Sequence, residues 1–449
     1  MHAALDSNRG QSAKTTKNVV ITDNRQASDF GTLTFSNYRK SEVVKALISG
    51  LRDGTLEASC YWSVELICAG HFMDMWNIII DFYGKYIHGG NPRLAILILN
   101  LYSEFRHIAL HVNSGDDLDL RNGTRVRELF CELICVLSHS HKMHPFVATK
   151  IGADDFELSH LSRMMIANSN RYSDVVILPG DPKELTIAVN ELMYNLSPQV
   201  KHVSNACYWV EWIIAYDTKC RKQSRPPPKA KAAQHNPSPS EDNPKNKPKY
   251  ENESDVENEI NTPSHAANLN GDPHPKFKSC TCVPRSRDAD LSETHQQNII
   301  WIVWDAFFKT FEFEQPSSAP LSNKAGQLKI LTTLHKLFSI RYTPSLGRRR
   351  RWLIYFAVNL ICIPLNLERP IVSSKIKQLV SAQISNVDII YGQVVQSATR
   401  LGVINHSANN SDEPPADDRL HAHINNKLFK QVQDSSVRNL IAAGLIKKK

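Results

Sequence analysis

Residues 41–70 read SEVVKALISGLRDGTLEASCYWSVELICAG, and their pattern decides the fold class. Val44, Leu47, Ile48 and Leu51 fall at i, i+3, i+4 and i+7, the spacing that lines one face of an α-helix. Ser41 with Glu42 marks an N-terminus, and Gly54 a stop. A second helix is expected from Leu56 to Ala69, ended by Gly70, because glycine takes the left-handed C′ conformation at little cost.

The same grammar extends in both directions. Helices are expected over 72–87, stopping at Gly89-Gly90-Asn91-Pro92, and then over 94–111 and 124–138. Asp181-Pro182 opens another to about Leu196, and His202–Cys220 makes one more. Later come NIIWIVWDAFFKTF (298–311), 326–340, 350–363, a long amphipathic stretch over 373–401 and a basic helix over 425–446. Near the start, Asn18–Thr22 and Thr32–Phe35 suggest a short hairpin.

Residues 222–290 differ in kind. They hold 11 of the chain's 23 prolines, and their charge is segregated. Nine Lys or Arg lie in Lys219–Lys249, followed by Glu251, Glu253, Asp255, Glu257 and Glu259. Such a segment buries too little apolar surface to offset its ordering entropy. The expected fold is therefore mostly α, a helical bundle or short solenoid in two parts separated by a disordered insert. The expected units are a polar segment (1–38), a helical domain (39–221), the insert (222–290), a second helical domain (291–404), a polar linker (405–424) and a basic terminal helix (425–449), each domain with its own core.

Composition sets weaker bounds. Hydrophobic residues at 41% and charged residues at 22% are ordinary for a globular chain. A net charge of +8 permits a polyanionic partner without requiring one. Nine cysteines, an odd count, and no secretory signal over Met1–Thr16 point to a reducing compartment. The apolar run Trp352–Leu367 is interrupted by Asn359 and Pro364 and is short for a span of ~20 residues, so membrane insertion is not expected.

No phosphate-binding loop, dinucleotide fingerprint, nucleophile elbow or His-Glu-x-x-His motif is present, and no catalytic residue or cofactor is expected. Three groups have some metal-ligand character: His107 with His111, Cys131 with Cys135 and His139, and the lone pair Cys280 and Cys282. Each is more simply read as buried thiols or surface imidazoles, so no metal site is assigned. The strongest polar signal is Arg348-Arg349-Arg350-Arg351, the candidate partner-binding residues. Four adjacent guanidiniums repel one another, so they call for solvent or an acidic surface. Cys60-Tyr61-Trp62 recurs as Cys207-Tyr208-Trp209, read as two aromatic core helices.

Two resemblances add expectations. FSNYRKSEVVKALISGLRDG (35–54), CYWSVELICAGHFMDMW (60–76), NACYWVEWII (205–214) and RRRRWLIYFAVNLI (348–361) resemble an uncharacterised protein family of nucleocytoplasmic large DNA viruses, especially those of algae. That likeness implies a virion or minor capsid component, located in the virion or the infected cell interior. Its partners would be other viral proteins or further copies of itself. Gly50–Pro92 also resembles the C-terminal helical collar of clamp-loader-type AAA+ proteins of the RarA group. Leu51-Arg52-Asp53-Gly54, Ala58, Tyr61-Trp62, Leu66, Gly70 and Gly90-Asn91-Pro92 match its motif, while Lys85-Tyr86 replace the family's Glu-Asp and the ATPase core is absent. The collar likeness implies oligomerisation. Together these give a non-enzymatic structural or assembly protein as the expectation. A nucleic-acid-associated factor in viral replication or late transcription is the alternative.

Overall fold

The computed structural model describes residues 19–112, 117–223, 281–285, 291–313 and 321–403. Among these described residues, ten α-helices precede residue 224: α1 Ala27–Phe30, α2 Lys40–Asp53, α3 Leu56–Cys68, α4 Phe72–Phe82, α5 Leu94–His111, α6 Asp117–Asn122, α7 Thr124–His139, α8 Leu158–Met164, α9 Leu185–Leu196 and α10 Val203–Gln223. Seven follow: α11 Glu293–Gln296, α12 Ile300–Phe313, α13 Leu321–Ser339, α14 Pro344–Arg349, α15 Arg351–Cys362, α16 Ser374–Ser385 and α17 Val387–Arg400. Among the described residues, β pairing is confined to two isolated bridges, Leu33 with Arg39 and Thr281 with Asn298.

The decisive stretch forms the expected helical hairpin. Gly54 stands at φ 71°, and the Thr55 N–H that follows returns to the Gly50 carbonyl at 2.9 Å. α3 then runs through the centre of the molecule, with every residue from Ala58 to Cys68 buried. A helix buried on all sides needs neighbours on all sides. α2 and α4 flank it from the same part of the chain, and α17 from the other.

That last contact corrects the two-domain expectation. The described segments on either side of residues 224–280 share one continuous apolar core. α12 lies on α9 and α10, α13 on α5, and α16 and α17 on α7. α15 explains why. Leu353, Ile354, Phe356, Val358, Leu360 and Ile361 leave it no polar face over its middle turns, so it sits between α10, α12, α13 and the turns after α4. There a π-helical segment, Tyr83–Ile87, replaces the expected last turns of the 72–87 helix. A Cβ on Gly84 would come within 3.1 Å of Leu353 Cδ2 and 3.3 Å of Trp352 Cβ. Glycine lets the two backbones meet.

Further expectations change. Among the described residues, no hairpin joins 19–22 to 32–35. Ile21 instead pairs through both backbone groups with the Asn122 side chain, at 2.8 and 2.9 Å. The insert is shorter than 222–290 at both ends: Lys222 belongs to α10, and residues 281–285 are anchored in the fold. There Arg285 pairs with buried Asp181 and, at 2.6 Å, with Asp305. The stretch 373–401 is two helices, broken at Asn386. The disordered reading of 224–280, the linker 405–424 and the basic helix 425–446 lie outside the described residues. No helix among the described residues is long and apolar enough to cross a membrane.

Candidate functional site: a buried thiol cluster and the arginine turn

Thr343 caps α14 by accepting from the Leu346 N–H at 3.3 Å, and Pro344 starts it. The chain turns at Arg350 and continues as α15, so the four arginines point different ways. Arg348 is exposed. Arg349 reaches α4, with Nη2 3.0 Å from Asp81 Oδ2. Arg350 is 1% exposed: its guanidinium donates to the carbonyls of Leu337, Phe338 and Ile340 at 3.4, 2.9 and 2.5 Å, and to Asn77 Oδ1 at 2.8 Å. Burial pulls its pKa down to about 10, still cationic at neutral pH. Arg351 meets buried Glu211 of α10 at 3.2 Å.

The acidic surface expected for this run thus lies largely within the chain itself. Arg350 satisfies the last carbonyls of α13, which a helix end leaves without intrahelical donors. Arg349 and Arg351 tie the start of α15 to α4 and α10. Nothing in the run of four letters separates the buried arginine from its exposed neighbours, because the turn that separates them is tertiary.

The proposed metal-ligand groups separate in a similar way. His107 and His111 are exposed on α5 with ring nitrogens 3.1 Å apart, one imidazole donating to the other. His139 leaves the thiols of its own helix and donates from Nδ1 to the Cys135 carbonyl at 2.9 Å. Cys280 lies outside the described residues, while Cys282 is buried with its thiol 3.3 Å from the carbonyls of Gln297 and Asn298.

Cys131 and Cys135 gain a partner the spacing did not name. Cys60 of α3 meets them where α3 crosses α7, and the three sulfurs lie within 4.8 Å of one another. All three are free and buried. Interaction among the three crowded thiols pushes the Cys131 pKa down and those of Cys60 and Cys135 up. The i, i+4 pair was visible in the sequence, but the third thiol is 71 residues away on another helix.

A second buried group was visible only as one member of the repeated aromatic motif. Glu65 is fully buried and accepts from Ser36 N–H at 3.1 Å, Ser36 Oγ at 2.6 Å and Thr34 Oγ1 at 3.1 Å. Burial raises its pKa to about 7 against those three donors. It pins the 34–36 loop onto α3. Its counterpart Glu211 instead takes the Arg351 guanidinium, so the two similar motifs do different work. Comparison with known proteins adds no relative: no family model, no curated protein and no solved structure matches this chain.

Proposed function

We propose that the chain is a non-enzymatic structural or assembly protein of a large DNA virus, joining other viral proteins or further copies of itself through its helical surface. The likeness to the viral family supports the setting. The observation that carries the joining role is where large apolar side chains meet solvent. Among the described residues, eight of the fourteen exposed ones, Met143, Val147, Leu158, Met165, Ile166, Val175, Leu178 and Ile187, fall between residues 143 and 187. Large apolar side chains left to solvent serve as contact points where they gather on one surface, whereas scattered ones are ordinary. Because Arg349–Arg351 are engaged within the chain, the nucleic-acid alternative loses most of its cationic anchor.

The test is quantitative proteomics of purified virions against infected-cell lysate. The assembly reading expects a constant copy number per virion that survives salt washing. Confinement to the lysate, together with duplex-DNA binding that disappears on replacing Arg348 and Arg349 with Ala, would overturn it for the replication reading.

A further inference from the structure

The thiol cluster at the α3–α7 crossing has a donor set that selects its own ligand class. Three sulfurs converge from Cys60, Cys131 and Cys135, and no His, Asp or Glu among the described residues joins them. Hard cations such as Ca²⁺ and Mg²⁺ take oxygen ligands and gain nothing here. Structural zinc takes four ligands, and this set has three. A soft monovalent d10 ion is satisfied by three thiolates in a plane, and Cu(I) is the one that thiolate sites select.

The size of the cluster agrees. A metal–thiolate bond of about 2.3 Å puts three trigonal sulfurs about 4 Å apart. The present separations, all within 4.8 Å, are close to that. The surroundings are dry, with Cys60, Cys131 and Cys135 at 2%, 6% and 0% exposure. Arg127 stands one turn before Cys131 on α7, buried, stacked 4.2 Å over the Tyr391 ring and paired with Asp388 at 2.9 Å. The Tyr391 hydroxyl is fully buried, has no hydrogen-bond partner and lies within electrostatic range of the Cys131 sulfur. A buried donor without a partner near Cys131 fits a cluster that becomes anionic when occupied.

We propose that Cys60, Cys131 and Cys135 form a binding site for a single Cu(I) ion, held by thiolate sulfur from two helices. Each thiol that ligates releases its proton to solvent, and the copper stays Cu(I) throughout. The site is independent of the assembly reading, since it needs only the α3–α7 crossing.

The full chain, reduced and free of metal, is titrated anaerobically with Cu(I) under ascorbate, with a chromophoric Cu(I) chelator competing. One equivalent should bind, with ultraviolet sulfur-to-copper charge transfer and sulfur as the sole neighbour in X-ray absorption. Cys60→Ser and Cys131→Ser should each weaken uptake by more than about a hundredfold, beyond what outer-shell changes cost. Cys207→Ser should leave it unchanged. Should the serine variants fail to fold, alkylation of the wild type in mild urea gives the second readout. Copper should then protect Cys60, Cys131 and Cys135 selectively over Cys68, Cys207 and Cys362. Uptake equal in the serine variants, nitrogen or oxygen neighbours in place of sulfur, preference for zinc from an equimolar mixture, or no selective protection would each overturn the proposal.

Discussion

Glu65 stands alone among acids in the centre of α3, and its burial has a defined pH signature. Its folded pKa of about 7 lies above the ordinary 4.5, so below 4.5 both folded and unfolded chains hold the proton. Between those values the folded state is the more protonated, and stability falls as pH rises. The loss is complete above 7 and amounts to roughly 3 kcal/mol. Glu65→Gln keeps an acceptor for Thr34 and the Ser36 N–H, and its amide can donate to Ser36 Oγ. That variant should lose this component, so denaturant melts at about pH 5 and about pH 8 should differ less than in the wild type. An unchanged pH dependence would place the effect elsewhere. The arginine turn gives a second test at this scale. Arg350→Ala strips donors from the end of α13 and from Asn77, and should cost about 3 kcal/mol or more. Arg349→Ala removes a single contact from a largely exposed arginine and should cost less, about 1 kcal/mol. Equal costs would contradict the division of roles within the run.

Helices were the most legible level of this sequence. The bounds of α2, α3, α5 and α15 match the periodic pattern within a residue or two, because each is a strong apolar repeat with a local stop. Trp62 and Trp209 are core residues as their helical setting implied, at 6% and 1% exposure. Either Trp→Ala variant should cost about 3–5 kcal/mol in chemical denaturation. Wild-type stability with loss of a partner would instead mark a binding platform. What the pattern missed has physical reasons. Short helices such as α6 and α8 carry too few turns to show a period. The π segment after α4 carries Gly84, against which α15 packs, a contact with residues some 270 positions later. Gly84→Ala should therefore weaken the α4–α15 contact and lower the melting temperature, although alanine is the better helix former. A rise in melting temperature would show that propensity outweighs this contact. The thiol cluster was half legible: spacing paired Cys131 with Cys135, and only the helix crossing adds Cys60.

At the scale of the molecule, the Pro-rich stretch divides the sequence without dividing the core. α15 is enclosed by helices from both sides of it, α17 lies on α3, and Arg349, Arg350 and Arg351 fasten the later half to Asp81, Asn77 and Glu211 of the earlier one. Composition marks a change in chain chemistry there, but it carries no information about which faces meet across it. Apolar surface from both halves is removed from water together, so neither half retains a complete core alone. The direct measurement is to place a specific protease site within residues 224–280 and cleave the folded protein. The products are then followed by size-exclusion chromatography and calorimetry. The two fragments should co-elute as one particle and unfold in a single cooperative transition. Fragments that separate under native conditions, or that melt independently, would contradict a shared core.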